Sequence, residues 1–147
     1  MGEVEAIYIT AKHGELPHKI DSAQAIAGKG LEGNRYFDEG DPARELTLIE
    51  AEALEALAAE HAIDLDAASS RRNVLTRGVR LNDFVGKRFR VGDLECRGIE
   101  LCEPCLHLQS MTQPGVIKGL AHRAGINAEI LVGGELRPGD AVSPLEP

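Results

Sequence analysis

Nowhere do the 147 residues contain an apolar run of the ~18 residues that a membrane-crossing helix requires. The amino terminus, Met1-Gly-Glu-Val-Glu-Ala, is acidic where a secretory signal would be basic and then apolar, so the expected location is the cytoplasm. Positive charge is scarce as well. Against 24 Asp and Glu stand 16 Lys and Arg, a formal charge of −8, which gives no general field for nucleic acid or an anionic membrane. Neither is expected as a partner. Cysteine is limited to three residues, an odd number too small for a disulfide framework, and in a reducing compartment such thiols serve metal, sulfur or redox chemistry. There is no P-loop, and the Gly28–Gly33 loop lacks the G-x-G-x-x-G arrangement between strand and helix, so nucleotide binding is not expected. No low-complexity tract or Ser-rich linker divides the chain, which reads as a single domain over residues 1–147.

What remains is the composition of an ordinary folded protein, 43% hydrophobic and 27% charged. Val4–Thr10 has the β-branched and aromatic content of a strand, and Glu45–Ile49 alternates like a short one. Between them, 16–41 is broken by Gly, Pro, Asp and Asn and reads as a long loop. Over Glu50–His61 the residues Ala51, Leu54, Leu57, Ala58 and His61 fall at helical spacing, and Thr47 with Glu50 fits a capping box at the start. From Asn73 onward glycines punctuate short apolar runs, the pattern of a β-barrel or sandwich. Gly86–Asp93 and Gly133–Asp140 echo each other as strands running into Gly-Asp turns, a weak sign of an internal repeat. Arg88 and Arg90 alternate with Phe89 and Val91, which places the arginines together on a face best read as solvated.

The sharpest local signal is Leu101-Cys102-Glu-Pro-Cys105-Leu-His107, two thiols three residues apart just after the strand expected at Asp93–Ile99. Strand-end loops are a usual place for reactive groups. Cys96 lies inside that strand and reads as a packed small hydrophobe. Cys102, Cys105, His107 and His122 supply the atom types for zinc, without a second C-x-x-C pair or the usual histidine spacing. A thioredoxin-like pair would need to open a helix in a βαβ unit, and that context is missing. The third chemistry is a single nucleophilic or metal-ligating thiolate, favoured if the fold gathers Arg72, His107, His122 and Arg123 around it. Arg71-Arg72-Asn73 could clamp an anion through planar guanidinium donors and an amide, and His122-Arg123-Ala-Gly125 forms a similar cationic turn.

In order and spacing, these pieces resemble the MOSC family, named for the C-terminal domain of molybdenum cofactor sulfurase, in its small stand-alone bacterial form. The resemblance rests on Gly30-Leu-Glu-Gly33-Asn34-Arg35, Arg44-Glu-Leu-Thr-Leu-Ile-Glu50, Arg72-Asn73 with Gly78-Val-Arg-Leu81, Val85-Gly86, and Gly92-Asp93. It continues through Cys102-Glu-Pro-Cys105, His122-Arg-Ala-Gly125-Ile126 and Val132–Asp140. It implies a mostly β, barrel-like fold with a few helices, resembling the pyruvate kinase β-barrel domain. It also implies molybdenum cofactor (molybdopterin) chemistry and sulfur transfer, with Cys105 as persulfide carrier or metal ligand and Cys102 as its more variable neighbour. On the same ground Glu32, Asn34, Arg35, Arg72, Asn73, His122 and Arg123 are expected to bind the cofactor. Where many relatives carry Gly-Asp-x-His, this chain has Gly33-Asn34-Arg35-Tyr36, so an acid and an imidazole are missing. Larger relatives obtain sulfur from a pyridoxal phosphate domain for which 147 residues leave no space. The expected partner is therefore a cysteine-desulfurase-type sulfur donor or a redox protein. Two other functions are consistent with these residues: a non-catalytic zinc-stabilised β module, and a molybdenum-dependent reductase of N-hydroxylated compounds.

Overall fold

The closely spaced glycine turns of the second half deliver strands too short to bury an apolar face alone, and these strands close on themselves. The computed structural model describes residues 2–12, 15–102 and 115–145. Its strands are β1 (Gly2–Ile9), β2 (His18–Ile20), β3 (Ala23–Ile26), β4 (Gly30–Leu31), β5 (Leu46–Glu50) and β6 (Val74–Arg77). The later ones are β7 (Arg88–Val91), β8 (Leu94–Leu101), β9 (Ile126–Val132), β10 (Gly134–Leu136) and β11 (Ala141–Pro144). Two α-helices are described, α1 (Ala51–His61) and α2 (Val116–Leu120).

Strands β1, β11, β7, β8, β9, β5 and β6 follow one another in hydrogen-bonded order, and β6 returns to β1, closing a seven-stranded barrel. Closure removes the open edges that short strands would otherwise expose. Strand β2 adds to β1 outside the ring, and β3, β4 and β10 form a small second sheet. Within the barrel the β5–β6 pairing is parallel, with Leu48 opposite Val74, and so requires a crossover, which α1 supplies. Phe89, Ile7, Leu46, Leu48, Leu94 and Ile126 fill the main core, which Cys96 joins fully buried. A second cluster of Leu57, Ile63, Leu65, Val116, Leu120 and Ala124 packs α1 and α2 together. The mostly β, barrel-like architecture implied by the family resemblance, one of the two that the turn density allows, is the one observed.

Four local expectations change. The 16–41 stretch holds β2, β3 and β4 rather than being all loop, because its few apolar residues, Ala23, Ala25 and Leu31 among them, are buried through sheet pairing. The Thr47–Glu50 capping box does not form: Thr47 sits within β5 and bonds to Asn73, while Glu50, the N-cap of α1, makes no side-chain cap bond. On α1 the buried face is Ala51, Ala53 and Leu57 with Leu54 partly covered, and Ala58 and His61 stay exposed. The two Gly-Asp turns belong to different sheets, β7 to the barrel and β10 to the small sheet, so the echo is a shared turn chemistry rather than a repeated unit. Arg88 and Arg90 do lie on the outer side of β7 while Phe89 and Val91 are buried.

Glu45, just before β5, is a buried carboxylate whose Oε1 accepts the Ile130 backbone N–H at 2.9 Å. Burial pushes its carboxyl above the usual 4.5, and Glu129 and Asp41 add to that against the hydrogen bonds from Ile130 and Gly28. A carboxyl raised in the folded state holds its proton longer than the unfolded chain does. Its contribution to stability is therefore complete below the unfolded value and is lost as pH rises through the folded one. Glu45→Gln keeps an acceptor for Ile130 and removes the titration. Unfolding in urea across the range from 4.5 upward is expected to show the variant gaining on the parent as pH rises, and parallel curves would show that Glu45 does not titrate in this way.

Candidate functional site

At one mouth of the barrel a cavity of about 370 Å³ opens between the 34–44 loop, the 71–73 turn and the ends of β5, β8 and β9. Four arginines, Arg35, Arg44, Arg71 and Arg72, line it with only two carboxylates, Asp41 and Glu100. A chain of net charge −8 thus gathers positive charge in one recess.

The loop is pinned by exchanged bonds with the end of β1. Arg35 N–H donates to the Thr10 carbonyl at 2.7 Å, and Thr10 N–H donates to Asn34 Oδ1 at 3.3 Å. Asn34 is buried, 6% exposed, yet it faces the cavity, and its Nδ2 donates to no described residue. Beside it the Tyr36 ring is flanked by two guanidiniums, with Arg35 Cζ 4.6 Å and Arg44 Cζ 4.8 Å from the ring centre. Cations at such distances are attracted to the ring's negative face. Arg71 holds a left-handed backbone (φ 64°) and donates to the Glu15 carbonyl at 2.7 Å. Burial first, and then the nearby Arg35 charge, lower its guanidinium from the ordinary value.

Arg72 and Asn73, expected as ligand donors, make extensive contacts with the chain itself. The Arg72 guanidinium donates through Nε to the Ala124 carbonyl at 2.8 Å, and through its two terminal nitrogens to Ser70 (3.2 Å) and Cys102 (3.0 Å). Asn73 Oδ1 accepts from both the backbone N–H and the hydroxyl of Thr47, and its Nδ2 donates to the Tyr8 carbonyl. Arg72 gathers three loops around the mouth, and Asn73 ties β1 to β5. Cys102 lines the cavity and is fastened from both sides, its N–H donating to Gly125 at 2.8 Å and its carbonyl accepting from Arg72.

The other expected residues fall elsewhere. Glu32 is exposed in the turn after β4 and lines neither this cavity nor the next. His122 and Arg123 line a second cavity, where Arg123 pairs with Glu60 at 3.0 Å. Cys105 and His107 lie outside the described residues. Cys96 is sealed in the core, where burial and then the Glu45 and Glu95 charges push its thiol up to about 12, so it is inert as read from sequence. Among the described residues no group of three or more His, Cys, Asp and Glu side chains could hold a metal ion. Tyr36, Arg44 and Thr47 were not among the expected site residues. Arg44 and Thr47 belong to the Arg44–Glu50 stretch, whose role at the mouth only the folded chain displays.

Residues 36–143 match the model of the MOSC domain. The chain belongs to the MOSC domain family. No curated protein matches it at the sequence level. As a MOSC domain it shares its fold with YuaD of Bacillus subtilis, at 16% identity and a TM-score of 0.82 over 97% of this chain and 94% of that one. YiiM of Geobacillus stearothermophilus is similar at 12% identity and 0.79, covering 99% and 76%. YiiM of Escherichia coli is similar at 17% identity and 0.71, covering 99% and 70%. MOSC domains are associated with the molybdenum cofactor, so the donor set of this cavity can be judged against that group. Such a cofactor presents anionic oxygens and a planar ring system. Guanidiniums, the Asn34 side-chain amide and an aromatic ring suit both parts, and the volume lies in the range of small-molecule pockets. Among the described residues no helix is long and apolar enough to cross a membrane.

Proposed function

We propose that this protein binds the molybdenum cofactor, or a related metal-sulfur species, in the arginine-lined cavity, and that Cys105 serves it as thiolate ligand or persulfide carrier. The observation that carries the reading is the cavity shared by Arg35 and Arg44 at the Tyr36 ring, Arg71 and the Asn34 amide nitrogen, at a mouth where Cys102 is fixed. Arg35, Arg71 and Asn34 would hold anionic oxygens, and Tyr36 would lie against the planar part. Asn34 in place of the relatives' acid keeps the Thr10 bond while adding no negative charge, which favours an anion further. Cys105 follows Cys102 by three residues, so covalent reach alone keeps it within about 11 Å of a residue on the cavity wall. A soft thiolate suits a high-valent metal or a transferable sulfur. When bound, the cofactor would supply the redox or sulfur chemistry. The sulfur or electrons would come from a partner, a cysteine-desulfurase-type donor or a redox protein, and the latter case would make the protein a reductase of N-hydroxylated compounds.

Elemental analysis for molybdenum, tungsten and zinc, with mass measurement of bound sulfur, tests this on protein from cells that make the cofactor. Molybdenum, tungsten or a persulfide is expected in the parent, and is expected to disappear in Cys105→Ser while Cys102→Ser changes it less. Arg71→Ala is expected to weaken cofactor binding by about 1.5–3 kcal/mol, one charge-assisted hydrogen bond. Zinc near one per chain, lost on removing either thiol, would replace the proposal with a zinc-stabilised module. Unchanged metal and sulfur in Cys105→Ser would refute the assignment of that residue.

A further inference from the structure

On a different side of the 122–125 turn lies a second cavity of about 380 Å³, which shares no lining residue with the first. Its charges are of both signs: Glu50 and Glu52 at the start of α1, with Arg80 and Arg123. Of the lining residue Glu52, the carboxylate oxygen Oε1 is buried and has no hydrogen-bond partner among the described residues. Buried acceptors are rarely left this way, because nothing repays the water they lose. The other oxygen of Glu52 accepts the Gly78 N–H at 2.7 Å, and Glu50 Oε2 accepts that of Leu81 at 3.1 Å, so both carboxylates are set in place by backbone from one side. Two other lining residues are tied together, Asn82 Nδ2 donating to the His122 carbonyl at 2.8 Å. Burial raises the Glu50 carboxyl above its usual range against the Leu81 hydrogen bond, with the Glu52 charge adding and Arg80 opposing, so a further cation beside Glu50 would be favourable.

We propose that this cavity binds a small zwitterion, a molecule with a primary ammonium a few bonds from a carboxylate, the ammonium on Glu50 and Glu52 and the carboxylate toward Arg123 and Arg80. An ammonium brings three donors, enough for Glu52 Oε1 and for Glu50 together. A metal ion fits less well, since no group of three ligating side chains occurs among the described residues. The guanidiniums at the rim are held loosely. Arg80 reaches Asp83 at only 3.7 Å, and the Arg123–Glu60 pair is about half exposed, so either can turn to an incoming anion at little loss.

Glycine, β-alanine and 4-aminobutyrate, titrated against the full chain and followed by amide NMR, test the proposal, with methylamine and acetate as single-ended controls. At least one of the three is expected to shift the Gly78 and Leu81 amides. Its affinity is expected to fall about tenfold or more in Glu52→Gln, the worth of one charge-assisted hydrogen bond. Glutamine retains an acceptor for Gly78, and Ala56→Leu, which fills the cavity from α1, is a second variant expected to block binding. No shift with any of the three, equal binding of methylamine or acetate, or undiminished binding to folded Glu52→Gln would each overturn it. Because the two cavities are lined by different residues, none of these results depends on the molybdenum assignment.

Discussion

Arg72→Ala is expected to lower the free energy of unfolding by about 3–5 kcal/mol, a large part of the ~5–15 kcal/mol that holds a domain of this kind together. The effect comes from the three carbonyls the guanidinium serves, those of Ser70, Cys102 and Ala124, which belong to three separate loops. Each would be left without its charged donor in a half-buried place, and the loss compounds because the loops are held in position by one another. Arg72→Lys should recover only a fraction, since a single ammonium cannot reproduce a planar fork aimed three ways. Urea unfolding checks this. An unchanged midpoint with weakened binding of an anionic cofactor would restore Arg72 to the ligand-donor role read from sequence.

That contrast marks how much was legible in the chain. Arg72 and Asn73 were expected as donors to an anion, because a guanidinium and an amide side by side before a strand offer several polar groups. Sequence does not say where those donors and acceptors point. Here they point at backbone from β1, β5 and the 122–125 turn, contacts spanning 26 to 65 residues of chain. A mostly β barrel or sandwich was readable from glycine spacing and short apolar runs, since those are local properties, whereas closure rests on pairings such as β1 with β11. The small strands β2, β3 and β4 were not, because their few residues are ordered by partners such as β10, more than a hundred residues away from β3 in sequence. The Tyr36 arrangement was hidden for the same reason. Arg35 is adjacent to the ring, but Arg44 reaches it only because the loop folds back through a 3-10 turn at Pro42–Arg44, started by Asp41, whose side chain accepts the Ala43 N–H.

Gly125→Ala is expected to lose more than about 4 kcal/mol or fail to fold, and Gly139→Ala only about 1–2 kcal/mol. The two glycines have nearly the same backbone, φ +95° and +93°, so the intrinsic penalty for a side chain is alike. Their surroundings differ. A Cβ at Gly139 meets nothing within 4 Å, whereas one at Gly125 would run into the Leu48 carbonyl, main-chain atoms of β5 that cannot rotate aside. Leu48 faces Ile126 in the β5–β9 pairing and Val74 in the β5–β6 pairing, so yielding there would part the barrel on both sides of β5. The same glycine accepts the Cys102 N–H, and its neighbour Ala124 accepts from Arg72. Two residues before Ala124, His122 walls the second cavity from a left-handed conformation of its own (φ 61°). A short turn is thus pressed against the barrel, with the arginine-lined mouth on one side and the mixed-charge cavity on the other. Circular dichroism and urea midpoints of the two alanine variants isolate the contribution of that close approach. Equal losses at Gly125 and Gly139 would mean that the turn can lift away from β5, and that neither cavity depends on the contact.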